Sequence, residues 1–122
     1  MKKIFVLIFL LAGYVSYGQT SLKFVSTTHS FGKIKQNVPA IYVFNFSNTG
    51  AKPLIVEVAT AECGCTTPEY PKEPIAKGKQ GNIKVTYNAA TAGAFSKKVT
   101  VKFASIDEPT ILTIQGEVIP KK

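Results

Sequence analysis

The chain has 122 residues, 45% of them hydrophobic, with two cysteines, one histidine and a formal net charge of +8, which bounds it to one modest domain without a disulfide framework. All 15 basic residues are lysines, so the forked guanidinium that reads phosphate or guanine edges is missing, and the lysines are scattered rather than clustered. No specific nucleic-acid site is expected, and the charge reads as a solvated, colloidally stable surface.

Met1-Lys2-Lys3 precedes an apolar stretch from Ile4 to Ala12, and small residues at Ser16 and Gly18 lead to polar Gln19. This pattern predicts a secretory signal peptide over 1–18. The apolar run falls short of the roughly 20 residues of a membrane span, and no other candidate span follows it. Residues 19–122 then form the mature domain, carrying thirteen lysines against seven acids, a net +6. The expected location is secreted or periplasmic, an oxidising setting for the two thiols.

From Leu22 onward, short β-branched and aromatic runs recur between glycine, proline and asparagine, with no helical period. Leu22 to Val25 predicts a first strand, His29 to Gly32 an irregular bend, and Ala40 to Ser47 a longer strand closed by the turn Asn48-Thr49-Gly50. A strand from Pro53 to Ala59 should set Leu54, Val56 and Val58 on one face, and it leads into Cys63-Gly64-Cys65. Pro68, Pro71, Pro74 and Gly78 exclude a central strand between Thr66 and Lys79, leaving an ordered crossing with at most a short edge strand. Alternation then assigns Ile83, Val85 and Tyr87, next Val99, Val101 and Phe103, and finally Leu112, Ile114 and Val118 to the core. Gly116 marks a close approach or a bulge. About seven strands of this kind predict an all-β, immunoglobulin-like β-sandwich.

Several motifs fall in one order: His29-Ser30-Phe31-Gly32-Lys33-Ile34, Phe44-Asn45-Phe46-Ser47-Asn48-Thr49-Gly50 with Pro53-Leu54, Cys63-Gly64-Cys65-Thr66-Thr67-Pro68, Ile75-Ala76-Lys77-Gly78, and Ile114-Gln115-Gly116-Glu117-Val118. In this the chain resembles the bacterial secreted family catalogued as domain of unknown function 1573, related to Hydin-type and sperm-protein immunoglobulin-like domains. It departs from that pattern at Ser30, where an acid is frequent, and at Lys77, where proline usually precedes the glycine. The resemblance implies an exported sandwich and supplies no activity.

The cysteine pair carries the pointed chemistry, and the residues leave three arrangements open. Two thiolates suit a soft, low-coordinate ion such as copper(I), whereas zinc needs further ligands, of which His29 is the soft-to-borderline candidate. A disulfide between Cys63 and Cys65 requires a turned Gly64 and closes so small a ring that it constrains the unfolded chain little. The pair can also simply pack. A nucleophilic enzyme would need a base beside a thiol, and His29 is the only histidine. Without a phosphate loop, nucleophile elbow or metalloprotease motif, the chain is not expected to be an enzyme.

The sequence therefore reads as an exported, non-catalytic interaction module for a protein partner or an envelope component. Its candidate face is the loop of Glu62, Gly64, Thr66 and Tyr70, with the sheet edges available for an added strand. Lys97, Lys98 and Lys102 are candidate edge-guarding charges. The alternative is a copper- or zinc-binding or redox-responsive domain that uses Cys63, Cys65 and His29.

Overall fold

The computed structural model describes residues 21–121, and the signal peptide expected over 1–18 lies outside them. Eight strands follow in order: β1 (Leu22–Phe24), β2 (Thr28–Lys35), β3 (Ala40–Asn48), β4 (Val56–Ala61), β5 (Thr66–Glu69), β6 (Gln80–Tyr87), β7 (Gly93–Phe103) and β8 (Thr110–Ile119). They form two four-stranded sheets, β1-β3-β6-β5 and β2-β8-β7-β4. Pairing is antiparallel throughout except for β2, which runs parallel to β8.

The core follows from the alternation. Phe44, Phe46, Ile83, Val85 and Tyr87 project from one sheet onto Val99, Val101, Phe103, Leu112, Ile114 and Val118 from the other, all buried. Phe46 is packed between Phe24 and Phe103, each with its ring centroid 5.3 Å away. Burying one such side chain stabilises the fold by roughly 1.5–3 kcal/mol. Asn48, 1% exposed, is one of two buried polar residues among those described, with Thr66. Its Nδ2 donates to Lys52 O and to Ile75 O, both at 2.8 Å, and its Oδ1 accepts from Gly50 N at 3.0 Å. One side chain thereby closes the predicted turn and holds the crossing segment.

Three expectations are corrected. The predicted bend at His29 to Gly32 is part of β2, the strand that brings the expected seven to eight. A register shift between Ser30 and Lys33, with Gly32 at φ +69°, interrupts its alternation and hides it from a period-two reading. The strand expected from Pro53 begins instead at Val56. Leu54 forms an isolated bridge with Ile75, and a second shift between Val56 and Val58 leaves Val58 44% exposed while Ala59 and Ala61 turn inward. Lys98 and Lys102 lie where β7 is flanked by both β8 and the end of β4, so they guard no edge, whereas Lys97 lies just past the end of β4. The expected short edge strand in the crossing is β5, and Gly116 does mark a close approach. A Cβ there would stand 2.8 Å from Gly32 O, so the β2 bulge and the β8 glycine fit one another.

Candidate functional site

Strand β4 ends at the rim of one sheet and β5 begins at the rim of the other, so residues 62–65 step between the layers. Both ends of the step are anchored. Glu62 N–H donates to Lys98 O at 3.2 Å, Glu62 Oε1 accepts from Lys98 N–H at 3.1 Å, and Asn88 N–H donates to Cys65 O at 2.9 Å. Across exposed Gly64, Cys63 and Cys65 are joined by a disulfide with Cα atoms 5.3 Å apart, inside the span such a bridge requires.

Beneath the bridge sits Thr66, 4% exposed. Its Oγ1 lies 3.6 Å from Cys65 Sγ and 3.8 Å from Cys63 Sγ, and its N–H donates to Cys63 O at 3.4 Å. Beside Cys65 opens a cavity of about 250 Å³ walled by Tyr87, Phe95, Thr91, Ser96 and Lys97 among others. The Tyr87 and Phe95 rings stack with centroids 4.1 Å apart. Tyr70 packs against the core with Lys72 Nζ 4.0 Å above its ring, so it acts as a lid on the core rather than an open contact. Glu69 pairs across the sheet with Lys84 at 3.7 Å, an exposed pair of small energetic weight.

The structure unites the cysteines with Thr66 but does not bring His29 to them. The imidazole stacks on Tyr42 at 3.6 Å and meets the Phe31 ring edge-on at 4.8 Å. Among the described residues no three His, Cys, Asp or Glu side chains gather as a metal site. In the bonded state neither sulfur is a thiolate ligand, so the three-residue set of Cys63, Cys65 and His29 is not assembled.

The rim carries a feature that residue type did not single out. The Glu62–Lys98 hydrogen bond sets the phase of the β4–β7 ladder: Thr60 and Val58 turn their backbone groups to β7, while Ala59 and Ala61 turn theirs off the sheet. Among the described residues those outward groups have no partner. On β5 the Asn88–Cys65 hydrogen bond sets the phase, so the outward positions are Thr66 and Pro68. Thr66 N–H is already bonded to Cys63 O and proline has no N–H. One rim therefore offers donors at the Cys-Gly-Cys step and the other does not. The proline in a β-rich run was the readable signal for the closed rim; the open one needed the bulge to be placed first.

The family model for DUF1573, described as a protein of unknown function, matches residues 22–118. The chain belongs to that family. No curated protein matches it. Among solved structures it is similar to a protein of unknown function from Porphyromonas gingivalis W83, at 14% identity and TM-score 0.68, covering 79% of this chain and 46% of that one. It is also similar to the ASH/PapD-like domain 7 of human CEP192, at 7% identity and TM-score 0.71, covering 84% and 88% of the two chains. The YadV chaperone matches at 18% identity and TM-score 0.53, over 84% of this chain and 53% of that one. These likenesses establish a PapD-like, immunoglobulin-like sandwich, and the fold alone.

Proposed function

We propose that this DUF1573 member is an exported, non-catalytic interaction module, secreted or periplasmic, that binds an extended segment of a protein or envelope component by strand addition at β4. The observation that carries this reading is the rim of β4. Among the described residues, Ala59 and Ala61 present unpaired N–H and C=O groups beside exposed Val58, on a stretch without proline, glycine or lysine. An added strand gains main-chain hydrogen bonds there and an apolar contact at Val58. The other rims are less hospitable: β1 has three residues, β2 is bulged and carries Lys33 and Lys35, and β5 lacks outward donors. Such free edges are otherwise covered or blunted in soluble proteins.

Selection from a displayed library of random extended peptides tests the reading. Selected peptides should slow amide exchange at Ala59 and Ala61 and lose binding to Ala61→Pro, whose missing N–H belongs to no bond of the fold. Peptides that bind Ala61→Pro equally well, or a library that yields none, would overturn it.

A further inference from the structure

The disulfide has no evident structural task. It closes a ring across a single intervening residue, and so small a ring removes little entropy from the unfolded chain. Both ends of its loop are already held by the ladders of β4 and β5. What surrounds it is suited to reaction. A buried hydroxyl, Thr66 Oγ1, stands within 3.8 Å of both sulfurs, and the cavity beside Cys65 carries a cation at Lys97. An O–H is a weak partner for a disulfide sulfur and a much stronger one for a thiolate, because a hydrogen bond to an ionised acceptor is about twice as strong. A leaving thiolate stabilised in this way leaves faster, and a cation near the attacked sulfur raises the thiolate fraction and local concentration of an incoming thiol.

We propose that Cys63–Cys65 is a thiol–disulfide exchange site for dithiols of exported polypeptides, in which Cys65 is attacked from the cavity and Cys63 is the leaving group. The incoming thiolate bonds to Cys65 Sγ as the Cys63–Cys65 bond breaks, and the electron pair departs on Cys63 Sγ, where Thr66 Oγ1–H donates to it. The second thiolate of the same dithiol then attacks the mixed disulfide, closes a disulfide in the partner, and expels Cys65 Sγ. Both thiolates take up a proton. The partner loses two electrons and two protons and the chain gains them. This goes beyond strand addition and does not rest on it.

The test uses the oxidised protein with reduced glutathione as a probe of the first step and dithiothreitol as a probe of the whole exchange. Samples are trapped with maleimide and read by mass spectrometry. Fragmentation between Gly64 and Cys65 should place glutathione on Cys65 and maleimide on Cys63. Thr66→Val should slow dithiothreitol reduction by about threefold or more, Thr66→Ser should retain the wild-type rate, and Lys97→Gln should slow glutathione addition. Exchange is measured without peptide and strand addition without added thiol, which separates failure here from failure of the strand-addition reading. Glutathione on Cys63, no adduct at all, or equal rates in Thr66→Val and wild type would overturn the proposal. Because the location of the adduct is read on the unmodified protein, the outcome does not depend on a variant folding.

Discussion

Asn48 illustrates how a single polar side chain specifies a connection that hydrophobic pattern leaves open. Its two donated bonds and one accepted bond tie the end of β3 to Lys52 O, Ile75 O and Gly50 N in a site from which water is excluded. Removing it takes the partner from Lys52 O and from Gly50 N–H and leaves Ile75 O with only its 2.9 Å bond from Leu54 N–H, at about 1–3 kcal/mol for a buried group left without its partner. Asn48→Ala should therefore lose about 2–3 kcal/mol in urea unfolding. Asn48→Asp, which keeps the acceptor for Gly50 but offers no donors to the two carbonyls, should lose a similar amount. Wild-type stability in both variants would show the network to be dispensable. The turn at Asn48-Thr49-Gly50 was legible from residue type. The burial of Asn48 was not, because its partners lie up to 27 positions away and only the crossing segment brings them near.

At the scale of an element, β4 shows where legibility ends. Val56 and Val58 share parity, which in an unbroken strand would put both in the core. The shift between them inverts the following residues, so Ala59 and Ala61 face inward and Val58 faces water. A bulge has no compositional mark in a run such as Val-Glu-Val-Ala-Thr-Ala, whereas the unbroken alternation of β6, the second half of β7 and most of β8 could be read directly. The consequence is testable on the backbone itself. The amides of Thr60 and Glu62, donated toward β7, should exchange slowly, while those of Ala59 and Ala61 should exchange fast although their side chains are partly buried. The same phase predicts that Ala61→Pro is tolerated, whereas Thr60→Pro, which removes a ladder donor and leaves its acceptor unpaired, costs about 1–3 kcal/mol. Equal protection of all four amides, or equal loss of stability in the two proline variants, would mean that the ladder is out of phase with this description.

For the molecule as a whole, stability should reside between the sheets rather than at the chemically pointed loop. The Phe24, Phe46 and Phe103 rings and the aliphatic layers around them span both sheets and are assembled from residues far apart in the chain. The Cys63–Cys65 bridge spans one residue and joins strands already fixed by their own ladders. Loop-closure arithmetic for a ring of this size gives at most about 1.6 kcal/mol, while emptying a fully buried phenylalanine site gives about 3–5 kcal/mol. Phe103→Ala should accordingly lower the urea midpoint severely, and the double variant Cys63→Ser with Cys65→Ser should lower it only slightly, with an unchanged dependence of free energy on urea concentration. This ordering separates two roles that a cysteine pair can have in a small domain. A bridge that the fold depends on must persist for the protein to exist, whereas a bridge the fold can do without is free to open and close against a partner's thiols. If the double serine variant fell as far as Phe103→Ala, the disulfide would be a staple of the sandwich, and an exchange reaction at Cys65 would then have to proceed at the expense of the fold.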